Sequence, residues 1–261
     1  MKPIKIGVLG AGSFSCAFIP LFQAHPFTSE VYLAESMPDR LAFAATKFKI
    51  SKTFSTLEDL LKSDVDAVAI FTQRWSHAPH AVAAMLAGKH VYSAVPAAIS
   101  LAELEQLIQA VKETGVTYMM GETSFYQPTT IYCRKRFLAG EMGRFVYAEG
   151  EYCHDMEHGF YGPYQGSNGD AWTSYASFPP MHYPTHSCGM VLSITGARMT
   201  RVSCLGFKDN HKDGIFDRAL SHWDNDFSNE TALYRTSDGG MARISVKARR
   251  FPSRIWARPP V

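Results

Sequence analysis

Residues 5–15, KIGVLGAGSFS, decide the fold of the N-terminal half because an apolar run turns at once into a glycine-rich step. Gly10 permits the sharp turn after a strand, and Gly12 leaves room where backbone N–H groups approach a phosphate at a helix start. Ser15 stands where such turns carry a third glycine, and its small side chain still allows close helix–strand packing. The stretch predicts a dinucleotide-binding βαβ unit. The residues expected around the pyrophosphate are Gly10, Gly12, Ser13 and Phe14.

A second apolar run, residues 30–35, ends in the carboxylate of Glu35, a little over twenty residues after the glycine turn. Such folds place an acid there to hold the ribose hydroxyls of the adenosine. Glu35 therefore favours NAD over NADP, because a 2′-phosphate would meet a negative charge. Arg40, close by in the sequence, is the one feature that favours NADP, and we include it among the expected cofactor contacts.

Composition excludes several classes of function. The 261 residues are 46% hydrophobic and carry a net charge of +2. Basic and acidic residues are interspersed, so no strongly positive surface is expected that would attract nucleic acid or an anionic membrane. No apolar leader precedes the first strand and no uninterrupted apolar run is long enough to span a bilayer, so a cytoplasmic protein without a membrane partner is expected. The five dispersed cysteines lack C-x-x-C spacing and predict reduced thiols.

Helical and apolar-strand patterns alternate up to residue 120, which predicts a doubly wound parallel sheet of the Rossmann type. Residues 1–120 are accordingly assigned as an NAD-binding domain. The expected strands after residue 35 are 65–71, 90–92 and 117–120, and the expected helices begin at Pro38, near Leu57, near His77 and at the capping box of Ser100 and Glu103.

Residues 121–261 have a different character and are assigned as an α+β substrate and dimerisation domain on a mostly antiparallel open sheet. A helix is expected at 129–138, strands at 143–152 and 200–207, a helix at 186–195, and two strands joined across 237–240. The aromatic, glycine-rich stretch up to Pro180 is interpreted as a long loop that serves a site. From Ala248 the chain is basic and proline-rich, which is consistent either with an irregular terminus or with a sheet that is cut short.

The glycine turn, residues 66–98 and residues 182–196 resemble the Gfo/Idh/MocA family of NAD(P)-dependent oxidoreductases, which act mostly on sugars and cyclitols. The resemblance implies a Rossmann domain joined to an α+β substrate domain, a small-molecule sugar or glycoside as substrate, and a homo-oligomer. It also implies further residues at the cofactor, namely Thr72, His77, Val95 and Pro96.

Two departures from the family pattern bear on the reaction. The family's Glu-Lys-Pro triplet reads Ala94-Val95-Pro96 here, so the lysine that commonly acts at the oxidised carbon is replaced by valine. The Asp and His found four residues apart in many members read His182 and His186. Because valine can move no proton, a plain alcohol dehydrogenase mechanism is disfavoured.

One branch of the family, the NAD-dependent glycosidases of the α-N-acetylgalactosaminidase type, is similar in these places. Its Val-Pro-Ala matches residues 95–97, its Tyr-Pro-Thr-His matches residues 183–186, and its Gly-Glu-Gly-x-Tyr-x-His-Asp pattern is approached by residues 149–155. The resemblance implies transient oxidation of the sugar at carbon 3, elimination of the glycosidic oxygen, addition of water, and recycling of NAD. The catalytic residues that it implies are Glu122, Tyr152, Tyr183 and His186.

Three alternatives to this interpretation remain open. A simple NAD(P)-dependent sugar or cyclitol dehydrogenase would perform net oxidation, and a degenerate NAD-binding protein would lack turnover. A metal site could be assembled from residues such as His154, Asp155, Glu157, His182 and Cys188, but their spacing matches no ligand motif, so no metal is expected.

Overall fold

The computed structural model describes residues 2–249 of the chain. The chain divides into two compact units, Met1–Gly121 and Glu122–Val261. No helix in the described residues is long and apolar enough to cross a membrane.

The first unit is an alternation of strands and helices. Its strands are β1 (Ile4–Leu9), β2 (Thr28–Ala34), β3 (Thr53–Phe54), β4 (Ala67–Ile70), β5 (His90–Ser93) and β6 (Tyr118–Met120). Its helices are α1 (Ser13–Ala24), α2 (Pro38–Phe48), α3 (Leu57–Leu61), α4 (His77–Leu86) and α5 (Leu101–Thr114). Every strand pairs parallel to its neighbours in the order β3-β2-β1-β4-β5-β6.

This order reverses between β1 and β4, and ligands of doubly wound sheets bind at the carboxyl ends of strands at such a point. The predicted α/β class with a Rossmann sheet is confirmed. The two-residue strand β3 was not predicted, because two residues cannot show an alternation of apolar and polar positions. The capping box is present in a shifted form, since the Ser100 hydroxyl accepts from the Glu103 N–H while the Glu103 carboxylate accepts from the Ile99 N–H.

The second unit packs helices against a four-stranded sheet. Its helices are α6 (Pro128–Leu138), α7 (Gly162–Asn168), α8 (Trp172–Ala176) and α9 (Thr185–Thr195), and its strands are β7 (Tyr147–Cys153), β8 (Met199–Lys208), β9 (Phe227–Thr236) and β10 (Met241–Lys247). The order is β7-β10-β9-β8, in which β7 and β10 run parallel and the other pairs antiparallel. The sheet is therefore mixed and mostly antiparallel, as expected.

The prediction of one long loop before Pro180 is wrong, because α7, α8 and three 3₁₀ turns occupy that stretch and its continuation to His182. Helices of five to seven residues complete at most two turns, which is too short for a 3.6-residue apolar period to appear. Aromatic packing holds the stretch instead, for example between Tyr161 and Trp172, whose ring centroids are 5.5 Å apart.

The predicted irregular tail begins as ordered chain. The Ala248 N–H donates to the Ser228 carbonyl at 3.0 Å, and Arg249 is buried. Residues 250–261, on which the rest of that prediction falls, lie outside the described residues.

Candidate functional site

The glycine turn of the first unit has the backbone that an approaching phosphate requires. Gly10 adopts φ +98°, and a Cβ there would lie 2.8 Å from the Phe71 carbonyl oxygen. Gly12 is the N-cap of α1, and as a glycine it has no side chain to cap the helix. The position that a Cβ would occupy at Gly12 is open space. The first N–H groups of a twelve-residue helix are therefore left for an anion.

Glu35 is held beside this turn. It is 9% exposed, its Oε2 accepts from the Ala11 N–H at 2.8 Å, and its Oε1 accepts from the Met37 N–H at 3.0 Å. A carboxylate has about four lone-pair positions, so both oxygens retain capacity for ribose hydroxyls. The residues present thus fit a dinucleotide. Phe14 at the helix start is half exposed, and Arg40 lies in α2.

His77 is placed differently from the expected cofactor contact. Its ring is 1% exposed, with Nδ1 2.9 Å from the Pro96 carbonyl oxygen and Nε2 3.0 Å from the Thr72 carbonyl oxygen. Burial lowers the pKa of His77, and the two carbonyls oppose that shift only in part. Both ring nitrogens are thus directed at backbone carbonyls. His77 therefore positions the backbone of Thr72 and of the cis Val95–Pro96 peptide, and its ring nitrogens are not available to a cofactor.

The second unit brings three of the four predicted catalytic residues into one hydrogen-bonded chain. His186 Nδ1 lies 2.7 Å from Glu122 Oε1, and His186 Nε2 lies 2.8 Å from the Tyr183 hydroxyl. Glu122 Oε1 also accepts from the Ser124 N–H at 2.8 Å, so this oxygen is an acceptor and Nδ1 is the donor. With Nδ1 as the donor, the neutral tautomer of His186 has the lone pair of Nε2 directed at the Tyr183 O–H. We call Glu122, His186 and Tyr183 the relay.

The relay carboxylate is ionised and shielded from water. The side chains of Glu122 and His186 are 8% and 12% exposed. Burial alone would raise the pKa of Glu122, but the hydrogen bond from His186, with help from the Ser124 N–H and Thr185, holds that pKa below its ordinary value. A fixed negative charge behind an imidazole stabilises the imidazolium that forms when Nε2 takes a proton.

Two glycines make room for this arrangement. A Cβ on Gly150 in β7 would lie 2.2 Å from the Ser187 carbonyl oxygen, so only glycine lets α9 approach the strand this closely. A Cβ on Gly189 in α9 would lie 2.9 Å from Cγ of Glu122. The helix that carries His186 is thus packed directly against both the strand and the relay carboxylate.

Tyr152, the fourth predicted catalytic residue, lies beside the relay on β7. Its ring centroid is 4.5 Å from that of His186 and 6.0 Å from that of Tyr183. Gly150 and Tyr152 are two positions apart on one strand and face the same side of the sheet, the side that α9 covers. Two phenols and an imidazole are therefore gathered in one place, which suits the movement of protons.

Sequence reasoning missed the residues that support the relay. Arg134 in α6 donates to the carbonyls of Ser193 and Phe125, and its guanidinium lies over the Phe125 ring at 3.7 Å. It therefore ties α6 to the end of α9 and to the turn that follows Glu122. No local motif marks such a residue, because its two partner residues lie 59 and 9 positions away in the sequence.

The described part of the chain contains no group of three or more His, Cys, Asp or Glu side chains placed to hold a metal ion. Cys188, one residue considered as a ligand, has its sulfur 3.7 Å from that of Met199, and burial raises the pKa of its thiol to about 12.

The fold and the glycine turn define a dinucleotide-binding unit joined to an α+β unit. Residues 4–122 match the Gfo/Idh/MocA family model described as oxidoreductase family, NAD-binding Rossmann fold. The first unit of this chain therefore matches the NAD-binding Rossmann domain of that family, which confirms the predicted resemblance and NAD as the cofactor.

Curated relatives extend the similarity into the second unit. A glycosyl hydrolase family 109 protein of Porphyromonas gingivalis is 26% identical over 265 residues, which cover 92% of this chain and 54% of the relative. A 4-carboxy-2-hydroxymuconate-6-semialdehyde dehydrogenase of Sphingobium sp. is 31% identical over 140 residues, which cover 53% of this chain and 44% of the relative. The chain thus spans about half the length of the curated relatives that it matches.

Solved structures share the fold. A scyllo-inositol dehydrogenase from Lactobacillus casei, crystallised with NAD(H) and scyllo-inositol, superposes with a TM-score of 0.76 at 18% identity, covering 95% of this chain and 71% of that one.

Proposed function

We propose that this protein is an NAD-dependent enzyme that cleaves a glycosidic bond of a sugar substrate through transient oxidation at carbon 3, with NAD recycled in each turnover. The observation that carries the proposal is the Glu122–His186–Tyr183 relay, a route for protons in the unit that the family uses for substrates. The similarity to proteins named glycosyl hydrolase family 109 supports the same reaction class.

The first unit has residues that would bind the cofactor, but it lacks the lysine that usually transfers a proton in this family. Gly10, Gly12 and Ser13 would hold the pyrophosphate, and Glu35 would hold the ribose hydroxyls, while Val95 replaces the family's lysine. NAD, when bound, supplies the acceptor and later the donor of the hydride at carbon 3. Every proton, including the one that the carbon 3 hydroxyl loses on oxidation and regains on reduction, must then be moved by other residues, and the relay and Tyr152 are the groups assigned to this.

Tyr183 is assigned as the base at carbon 2. A ketone at carbon 3 acidifies the adjacent C2–H bond, and the Tyr183 oxygen takes that proton as its own passes to His186 Nε2. Glu122 then balances the charge of the imidazolium. The electron pair of the C2–H bond forms a C1–C2 double bond, and the C1–O bond breaks toward the leaving group.

Tyr152 is assigned as the second acid–base group. It gives a proton to the departing glycosidic oxygen, and it later takes one from the water that adds at carbon 1 while carbon 2 is reprotonated from the Tyr183 side. The sum is glycoside plus water to free sugar plus alcohol, with no net change in the cofactor. Most glycosidases that work without a redox step use two facing carboxylates, and the relay contains one.

Turnover with limiting cofactor tests the proposal. The protein is supplied with one molar equivalent of NAD⁺ and an excess of p-nitrophenyl N-acetylhexosaminides of both anomers. We expect phenol release well beyond one equivalent, without accumulation of NADH. Accumulation of NADH from free sugars, without phenol release from any glycoside, would overturn the proposal in favour of a simple sugar or cyclitol dehydrogenase.

A further inference from the structure

A row of aromatic rings extends away from the relay in the second unit. From His186 it passes to Tyr152 at a centroid distance of 4.5 Å, then to His154 at 5.2 Å, and ends at Phe160 at 3.8 Å from His154. We call these four residues the ring row. Its far end is open, because the Phe160 ring is 44% exposed although it is fully apolar.

The β-strand explains the first half of the row. Tyr152 and His154 are two positions apart, so their side chains emerge on the same side of the sheet. The His154 N–H donates to the Lys247 carbonyl at 2.8 Å and the Met156 N–H donates to the Ala248 carbonyl at 3.0 Å, which continue the pairing with the β10 chain past the end of β7. His154 is therefore fixed by backbone hydrogen bonds.

The turn that delivers Phe160 is fixed as well. Gly159 adopts φ +95°, a conformation that favours glycine, and it returns the chain so that Phe160 lies against His154. Just before this turn, Glu157 pairs with the buried Arg249 at 3.0 Å. Arg249 is held in turn by Asp209 at 3.0 Å and Asp213 at 2.6 Å. The chain that precedes the exposed Phe160 ring is therefore held in place by ion pairs.

We infer that His154 and Phe160 form a subsite for the leaving group, a planar or apolar ring joined to the reacting sugar through its glycosidic oxygen. The inference rests on the proposed function, since the relay must act at carbon 2. The leaving group is attached at the neighbouring carbon 1 and extends beyond the reacting ring, and the ring row leads away from the relay. Aromatic faces bind aryl rings and the C–H faces of sugars by stacking.

Affinity for paired ligands tests the subsite. Dissociation constants of p-nitrophenyl and methyl N-acetylhexosaminides are measured by calorimetry in the presence of NAD⁺, in a Tyr183→Phe background that slows turnover below the time of the measurement. Phe160→Ala should weaken the p-nitrophenyl ligand about five- to tenfold and change the methyl ligand less than about twofold. Phe160→Tyr keeps the ring and should restore the affinity.

Tyr132→Ala provides the matched control, since Tyr132 is an exposed aromatic residue on α6 outside the ring row. It should alter neither ligand. Equal weakening of both ligands by Phe160→Ala, or no weakening of either, would overturn the inference. Because binding is measured without turnover, absence of catalysis in the wild-type protein would refute the proposed reaction while a selective loss of aryl affinity would still support the subsite.

Discussion

Glu122→Gln removes the charge of the relay while keeping its shape. The amide oxygen can stand at the Oε1 position, where it still accepts from His186 Nδ1 and from the Ser124 N–H. The tautomer of His186 and the direction of its ring are therefore preserved. What the variant lacks is the negative charge that stabilises the imidazolium during proton transfer.

The size of the effect follows from burial. A hydrogen bond to a charged group is more stabilising than a neutral one by about 1.4 kcal/mol. Two opposite charges about 4 Å apart near a protein surface attract each other by about 4 kcal/mol. Because both side chains are at most 12% exposed, water screens little of this charge. We therefore expect kcat to fall by about ten- to a thousandfold.

Stopped-time assays of phenol release, with kcat and KM determined separately, measure this fall. KM should change little because Glu122 acts through His186. A kcat within threefold of wild type would refute the role of the charge.

The same variant has a stability signature. The folded-state pKa of Glu122 lies below its ordinary value of 4.5, so its carboxylate stabilises the fold above that pH, and this contribution is lost as the pH falls through the lowered pKa. In denaturant titrations the stability advantage of wild type over Glu122→Gln should shrink as the pH is lowered from 7 to below 4. An advantage that is independent of pH would contradict the lowered pKa.

The remaining predictions concern the phenols, the cofactor acid and the packing of α9. Tyr183→Phe and Tyr152→Phe should each lower kcat by roughly a hundredfold or more in the phenol-release assay, and near-normal activity in both would reduce them to packing residues. Glu35→Ala should weaken NAD⁺ binding about ten- to a hundredfold by calorimetry, whereas a wild-type preference for NADP⁺ would contradict its assignment to the ribose. Gly189→Ala places a methyl group 2.9 Å from Glu122 Cγ and should lower kcat without touching substrate. Gly162→Ala, which meets open space in α7, is its control, and equal effects of the two would refute this packing argument.

The Rossmann half could be predicted because each of its steps has a local sequence signal. A buried parallel strand reads as an apolar run, the turn needs Gly10 at a positive φ, and the strand-end acid Glu35 stands at a set spacing. Glu122 carries no such signal, since it meets His186 only through the packing of α9. Its place in the site came from resemblance to a family.

The second unit shows where local patterns fail. Short helices such as α7 and α8 are held by aromatic contacts and by the Arg249 ion pairs, which join residues far apart in sequence. For His77 the sequence suggested a role that its surroundings do not favour. The resemblance implied a contact with the cofactor, whereas both ring nitrogens lie against backbone carbonyls. Burial and hydrogen-bond partners, which no motif specifies, decide such roles.

Deuterium incorporation tests the central claim most directly. The protein turns over a glycoside in deuterated water, and the released sugar is analysed by NMR and mass spectrometry. Elimination through a ketone predicts deuterium at carbon 2 of the released sugar, to the extent that the proton held by the relay exchanges with solvent before it is returned, and Tyr183→Phe should slow exchange and release together. Product with no deuterium at carbon 2 would contradict the account, because the alcohol must leave and water must enter before the proton is returned, which gives the relay time to exchange with solvent.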